Sequence, residues 1–123
     1  MDSLARIPVL FKIEDIGEAE GELVRFMAPR TVSAIVKKLP LESVCAVWMG
    51  EVYFEVPVTM GEEKATTTIE KGDIAYWPMG NAVCIFFRET RPYSAVNRIG
   101  KIKKNLELFD RVKNGTRIRM EKC

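Results

Sequence analysis

Apolar and polar residues alternate along much of this chain with the period of two that is typical of β-strands. The clearest example is the segment 51–56. One face of it carries Val52, Phe54 and Val56, and the opposite face carries Glu51, Tyr53 and Glu55. We therefore expect Phe54 to point into a core and Tyr53 to point away from it.

The same pattern predicts about eight or nine short strands along the chain. They are Arg6–Ile13, Glu22–Met27, Val44–Met49, Glu51–Val56, Ala65–Ile69, Asp73–Trp77, Ala82–Phe87, Arg98–Lys103 and Thr116–Met120. A turn at Glu18–Gly21 is predicted to join the first two strands as a hairpin. Val44–Met49 is almost wholly apolar, which predicts a strand that is covered on both faces.

Two segments have helical spacing instead. The first, Arg30–Leu39, carries apolar residues at i, i+3, i+4 and i+7 from position 32 and lies between Pro29 and Pro40. The second, Asn105–Asn114, starts at an asparagine that is a good N-cap and stops before Gly115. Many short strands and two helices in 123 residues predict a mainly β fold. We expect a single domain over residues 1–123, a closed β-barrel of about eight strands with two helices capping its ends.

Composition narrows the chemistry that the chain can perform. The hydrophobic share of 47% and the charged share of 29% are typical of a globular domain. The absence of histidine excludes Ser-His-Asp and Cys-His catalysis and every histidine-ligated metal site. We expect no metal and no cofactor. No apolar run approaches the roughly 18 residues of a membrane span, and the first six residues do not resemble a secretory signal.

Charge and cysteines are distributed unevenly. Residues 98–123 hold nine Lys/Arg against three Asp/Glu, a net +6, and the rest holds ten against fourteen, a net −4. A basic face that balances an acidic body and an anion- or RNA-binding surface are both compatible with this distribution. Cys45 and Cys84 lie in apolar runs and are expected to be buried and inert, whereas Cys123 is expected to be a free thiol. These thiols fit a reducing cytoplasm.

Three stretches carry a family resemblance. They are Pro29-Arg30-Thr31 after the outer strand Gly21–Val24, the strand Cys84–Phe87 with its paired phenylalanines, and Ile99–Ile102 before the second helix. With the order of elements, they resemble the cyclophilins, which implies the cyclophilin barrel. Three further stretches are similar to the small prokaryotic cyclophilin-like proteins of unassigned function, namely Gly50–Phe54, Gly72–Pro78 and Ser94–Ile102. Arg88 departs from the resemblance, because glycine is expected after the two phenylalanines.

The resemblance implies little of the cyclophilin chemistry. Cyclophilins isomerise X-Pro bonds on the outside of the barrel with an arginine, a glutamine and apolar residues, and they need no cofactor. The corresponding region here, Val44–Pro57, has no arginine and no glutamine. Arginines later in the chain that could substitute are Arg88, Arg91 and Arg98. We therefore do not expect efficient prolyl isomerase activity, and no catalytic residue is assigned.

A carboxylate pair for hydrolysis is also unsupported. Glu51 and Glu55 are four strand residues apart, which at roughly 3.3 Å each separates them by about 13 Å. Glycosidase carboxylates stand about 5–9.5 Å apart. Glu55 is therefore expected to be an ordinary polar surface residue, and Glu51 stays a candidate because it stands beside Tyr53 and near Trp48.

The candidate ligand-binding residues fall mostly in the signature stretches. They are Trp48, Glu51, Tyr53, Tyr76, Trp77, Phe87 and Asn97. Any of the aromatic residues could instead belong to the core, and Asn97 could cap a turn. We expect this set to form a cleft on the outer barrel wall, around the strand face of Glu51 and Tyr53.

Two functions stay open at this stage. One is a binding module for a small molecule or an extended, proline-containing peptide on the outer barrel face. The other is an enzyme, either a weak or atypical peptidyl-prolyl cis-trans isomerase or an unrecognised activity. A homo-oligomer that uses the exposed strand face is a further possibility. Neither nucleic acid nor a membrane is expected as a partner.

Overall fold

The structure, a computed structural model, describes residues 5–123. Its strands are β1 (Arg6–Ile13), β2 (Gly17–Val24), β3 (Leu41–Trp48), β4 (Glu51–Glu55), β5 (Asp73–Trp77), β6 (Ala82–Phe86), β7 (Asn97–Lys104) and β8 (Arg117–Lys122). They form a closed antiparallel barrel in the order β1-β2-β7-β5-β6-β4-β3-β8, and β8 pairs with β1. The predicted closed barrel of about eight strands is confirmed.

Helical segments pack against the barrel interior. Helix α1 (Pro29–Lys38) buries Val32 and Ile35 completely in the core. The second predicted helix is present as a 3₁₀ helix, Leu106–Arg111, whose Phe109 meets the ring of Phe11 edge-on at 5.9 Å between centroids. Two single-turn 3₁₀ helices, Arg25–Met27 and Pro78–Gly80, lie between other elements.

Asn105 does not cap the second helix as predicted. Its backbone is left-handed, at φ 66°, whereas an N-cap residue needs an extended backbone to turn its side chain towards the helix. The side-chain amide instead donates a hydrogen bond of 2.9 Å to the carbonyl oxygen of Glu18. It therefore ties this 3₁₀ helix to β2.

The first hairpin turns earlier than predicted. The turn is at residues 14–16, with Asp15 at φ 63°, and the predicted turn Glu18–Gly21 lies inside β2. This strand was hidden in the sequence because its outward residues are glutamates and its inward residues are small. Gly21 is required there, since a Cβ would stand 2.8 Å from the carbonyl oxygen of Lys101.

One further predicted strand is absent, and one strand that is present is covered differently from the prediction. Ala65–Ile69 forms only an isolated bridge between Thr66 and Val96, because β5 already pairs with β6 and β7 and leaves no place for another strand. Residues 44–49 are not covered on both faces. Cys45 is buried, but the side chains of Val44 and Trp48 are 50% and 38% exposed, because they lie on the outer side of the barrel wall.

The basic segment pairs with the acidic body, which supports the charge-balancing interpretation. Arg98 and Lys101 both reach the fully buried carboxylate of Asp73, at 3.0 and 3.3 Å. Arg119 pairs with Glu42 from the neighbouring strand. These contacts use part of the positive charge within the fold itself.

The barrel wall separates two apolar clusters. The larger one fills the interior and includes Phe11, Phe54 and Ile85. The smaller one lies on the outer face, and we call it the outer cluster. Its buried members are Ala75, Cys84, Phe86 and Val96, with Tyr53, Ile69 and Trp77 packed against them. An apolar cluster outside a barrel that already has a core is where a binding site is to be sought.

Candidate functional site

A cleft of about 240 Å³ opens beside the outer cluster, and we call it the outer cleft. Four of its lining residues are aromatic, one is a carboxylic acid and none is basic. The lining consists of Trp48, Glu51, Tyr53, Trp77, Cys84, Pro92, Tyr93 and Val96. The cleft is thus largely apolar with a single ionisable acid.

The strand register places the floor of this cleft. In β4, Val52 and Phe54 point inward, so the alternation turns Glu51 and Tyr53 outward as predicted. Tyr53 pairs directly across the ladder with Cys84 of β6. Glu51 pairs with Trp48 of β3, across the tight turn that joins β3 to β4.

Trp77 is held in place from two sides. Its indole N–H donates a hydrogen bond of 2.7 Å to the hydroxyl oxygen of Ser94. Gly80 lies under the ring, and a Cβ at this position would stand only 2.3 Å from a ring carbon. Only glycine leaves room for this ring position, so the turn after β5 is built around the orientation of Trp77.

The loop between β6 and β7 forms the opposite wall. It is tied to the β3–β4 turn by a hydrogen bond of 2.7 Å from the Thr90 hydroxyl to the carbonyl oxygen of Met49. The amide N–H of Phe87 donates to the carbonyl oxygen of Gly50 at 3.0 Å. These bonds hold the loop that carries Pro92 and Tyr93 against the turn that precedes Glu51.

The four aromatic rings follow one another at nearly constant spacing. Tyr53 and Trp77 have centroids 5.9 Å apart, Trp77 and Tyr93 6.0 Å, and Tyr93 and Trp48 5.9 Å. The planes of successive rings differ by 82°, 75° and 81°. Nearly perpendicular neighbours are the favoured geometry for aromatic pairs and also the geometry of adjacent walls of a box.

Glu51 is the unusual group of the site. Its residue is only 5% exposed although it lies on the outer side of the wall. Burial raises the pKa of its carboxyl to about 7, against which a hydrogen bond from Cys84 acts only partly. The pKa of the Cys84 thiol is raised by its own burial and further by the nearby Glu51 carboxylate. A carboxyl with such a pKa gains or loses its negative charge near neutral pH, and shifts of this kind are common at functional sites.

The mouth of the outer cleft is apolar and exposed. Trp48 is 38%, Met49 69% and Tyr93 69% exposed. Met79 is 72% exposed, and its sulfur accepts a hydrogen bond from Ser94 at 3.2 Å. Exposed large apolar side chains gathered around one cleft are typical of a ligand or partner site.

The structure brings together four of the seven predicted site residues and places three elsewhere. Trp48, Glu51, Tyr53 and Trp77 line the outer cleft. Tyr76 and Phe87 belong to the interior cluster, and the hydroxyl of Tyr76 donates to the carbonyl oxygen of Val58. Strict alternation separates these neighbours, since Trp77 and Phe86 point outward and Tyr76 and Phe87 point inward.

Asn97 holds a loop rather than lining the cleft. It is fully buried, donates to Thr31 Oγ1 at 3.1 Å and to the carbonyl oxygen of Gly61 at 3.0 Å, and accepts from the amide of Glu63 at 2.9 Å. Glu63 in turn accepts hydrogen bonds from the first amides of α1. Asn97 thus positions the loop whose Glu63 side chain caps this helix.

Sequence reasoning missed four residues that line the outer cleft. They are Cys84, Pro92, Tyr93 and Val96. Cys84 could have been found from its strand alternation with Phe86. Tyr93 is the only aromatic in a polar loop directly before a signature stretch, and this isolation was the available signal.

The arginines that could substitute for the cyclophilin arginine do not line the outer cleft. Arg88 pairs with Asp110, and Arg98 pairs with Asp73. Arg91 is exposed. The sequence contains no glutamine at all. Within residues 5–123, no cluster of acidic or cysteine side chains could hold a metal ion, and no helix is long and apolar enough to cross a membrane.

Comparison with known proteins agrees with this architecture. The chain matches the cyclophilin-like family over residues 6–121. A hypothetical protein from Archaeoglobus fulgidus, solved in solution, is 36% identical, with a TM-score of 0.83 over 97% of this chain and 96% of its own. No curated protein matches.

A second solved structure shares the fold at much lower sequence identity. It is McbB in complex with tryptophan, 9% identical, with a TM-score of 0.78 over 92% of this chain and 44% of its own. That identity is evidence for the fold alone. The match of the family over nearly the whole chain, the closed barrel and the archaeal neighbour lead to one conclusion: this protein belongs to the cyclophilin-like family.

Proposed function

We propose that this protein is a binding module that holds a small molecule in the outer cleft. The observation that carries the proposal is the composition of the cleft, which four aromatic side chains and a buried carboxyl group line together outside the barrel core. Ligand sites are concave, mostly apolar and fitted with a few polar groups that orient the ligand. The outer cleft has each of these properties.

The size of the cleft favours a small molecule over a longer segment of peptide. Water occupies about 30 Å³ per molecule in the liquid, so 240 Å³ equals the volume of about eight waters. This accommodates a ligand of several heavy atoms or one side chain. Larger, drug-sized ligands occupy about 300–1,000 Å³.

Barrel closure argues against one mode of peptide binding. Extended peptides often bind by adding a strand to an open sheet edge. Each of the eight strands in residues 5–123 pairs with a neighbour on both sides, so the described barrel offers no such edge. A peptide would have to bind without strand addition, with one of its side chains inserted into the outer cleft.

Prolyl isomerase activity is the weaker candidate. The guanidinium of a cyclophilin arginine can hydrogen-bond near the twisting amide, and no arginine lines the outer cleft. Glu51 is the only carboxylic acid there, and in its ionised form it donates no hydrogen bond to the nitrogen lone pair that localises as the amide twists. The cleft is better suited to holding a ligand than to turning a peptide bond.

Native mass spectrometry of the freshly purified protein tests the proposal. We expect a small-molecule adduct that is lost on denaturation, together with the number of subunits. Tyr93→Ala should weaken the adduct. Phe26→Ala should not, since Phe26 is a comparably exposed aromatic, 60% against 69%, that packs with Arg6 away from the cleft. Both substitutions should leave the fold intact.

A second measurement covers a ligand lost during purification. Ligand-observed NMR with a fragment mixture should find binders that compete for one site and that Tyr93→Ala weakens. If neither method finds a cleft ligand, the binding proposal is wrong. Turnover of a proline-containing test peptide at ordinary cyclophilin rates, abolished by Tyr93→Ala, would replace it with the isomerase.

A further inference from the structure

The floor of the outer cleft holds one carboxyl group and no partner cation. Glu51 is the one acid among the lining residues, and no lysine or arginine lines the cleft. The nearby arginine of the β6–β7 loop, Arg88, is turned to Asp110. Among the described residues, the carboxyl of Glu51 has only the thiol of Cys84 as a hydrogen-bonding neighbour. A buried carboxylate is stable only when it is paired or hydrogen-bonded.

The aromatic walls of the cleft also favour a cation as ligand. The face of an aromatic ring carries negative electrostatic potential and attracts a cation within about 6 Å of the ring centroid. Trp48, Tyr53, Trp77 and Tyr93 line the same cleft as the carboxyl, and the planes of successive rings are nearly perpendicular. Tryptophan binds cations more strongly than the other aromatic residues do, and half of these four rings are tryptophan.

We propose that the outer cleft binds a small organic cation, an ammonium group that carries methyl or methylene substituents, with its charge against the Glu51 carboxylate and its carbon groups against the four rings. This inference rests on the proposed binding function and names its ligand class. A bare metal ion does not fit, because a single carboxylate cannot replace its hydration shell. An anion does not fit either, because Glu51 would repel it.

The methyl or methylene groups on the nitrogen match this ligand to the cleft. A methylated ammonium spreads its charge over carbon groups that are weakly hydrated, so little hydration is lost on entering an apolar box. Its carbon surface gains contact with the rings while its charge compensates Glu51. A quaternary ammonium with a short tail has about seven heavy atoms, within the eight-water volume of the cleft.

Binding of such a cation must depend on pH through Glu51. The titratable groups that face it are the thiol of Cys84 and the phenols of Tyr53 and Tyr93, and no basic group lies on the lining elements facing the cleft. The pKa of Glu51 is about 7 without ligand. The cation binds the deprotonated form, so affinity should rise between pH 6 and pH 8, and binding should release a proton below neutral pH.

Choline and its neutral carbon analogue, 3,3-dimethyl-1-butanol, are the matched probes. Both tryptophans of the protein line the cleft, so tryptophan fluorescence reports on this site alone. We expect choline to bind saturably in the millimolar range at pH 8, and the neutral analogue to bind roughly tenfold more weakly. Isothermal titration at pH 6.5 in two buffers of different ionisation enthalpy should detect the released proton.

Two variants distinguish the contribution of the Glu51 charge to binding from that of the aromatic side chains. Glu51→Gln should weaken choline binding roughly tenfold and remove its pH dependence while leaving the neutral analogue unaffected. Tyr93→Ala should weaken both probes. If the two probes bind equally well, or if Glu51→Gln leaves choline binding unchanged, the cation inference is overturned while the binding function stands. If neither probe binds but cleft-binding fragments are found, the cation inference again fails alone.

Discussion

Replacing Glu51 with glutamine should stabilise the protein at pH 8 and leave its stability nearly unchanged at pH 4. In the folded protein the pKa of Glu51 is about 7, and in the unfolded chain it returns to 4.5. Between these values the folded state holds a proton that the unfolded state has released. The free energy of unfolding therefore falls as pH rises through this window, and the lost stability is not regained above pH 7.

The magnitude follows from the size of this shift. A difference between 4.5 and about 7 corresponds to about 3 kcal/mol, since one pKa unit is worth about 1.4 kcal/mol. Water in the open cleft screens part of this cost, so we expect about 2 kcal/mol above pH 7. Glutamine carries no charge at any pH in this range, and its amide oxygen can still accept the hydrogen bond from Cys84.

Urea denaturation at pH values from 4 to 8 measures the effect. The difference in unfolding free energy between Glu51→Gln and the natural sequence should be near zero at pH 4, grow between pH 5 and pH 7, and then level off. Glu55→Gln is the matched control, because Glu55 lies on the same strand face but is exposed. A difference that stays constant from pH 5 to pH 8 would show that Glu51 is ionised in water and that the cleft floor is described wrongly.

Three further predictions concern the fold. Phe54→Ala should lower the free energy of unfolding, measured by urea denaturation, by about 3–5 kcal/mol because it leaves a cavity in the core. Tyr53→Ala should lower it by only about 1 kcal/mol, because it removes the edge contact with Trp77. Equal losses would show that the inward and outward faces of β4 are assigned the wrong way round. Gly100→Ala should cost about 3 kcal/mol or more, since its Cβ would stand 2.0 Å from the carbonyl oxygen of residue 22, and Gly61→Ala, with nothing within 4 Å, should be neutral. Glu63→Ala should lower the thermal midpoint through a loss of about 1 kcal/mol, because it removes the cap of α1; an unchanged midpoint would contradict that capping role.

The sequence was most informative where strand alternation is strict. In β4 the outward placement of Glu51 and Tyr53 followed directly from the inward valine and phenylalanine, and this pair anchored the candidate cleft. Strand alternation also separates the adjacent aromatic residues at positions 76 and 77 and at positions 86 and 87, but the prediction did not take this into account. As a result, Tyr76 and Phe87 were grouped with residues from which the barrel wall separates them.

What could not be predicted depends on contacts between distant segments. Tyr93 reaches the cleft only because the loop before β7 is hydrogen-bonded to the β3–β4 turn. Residues of that loop line the cleft beside Glu51, so its burial and raised pKa could not be predicted from strand alternation alone. The glycine and glutamate residues of β2 resemble a turn until Lys101 is seen to press against Gly21.

The separation of the two apolar clusters by the barrel wall has an evolutionary consequence. Stability is determined largely by interior side chains such as Phe54, whereas the rings of Tyr93 and Trp48 are partly exposed and contribute little to the core. Under the proposed binding function, selection for a different ligand can therefore act on the cleft residues without opposing selection for a stable fold. Members of the family that share this barrel can therefore differ in their cleft residues, and conservation of the core among them would not by itself indicate a shared function.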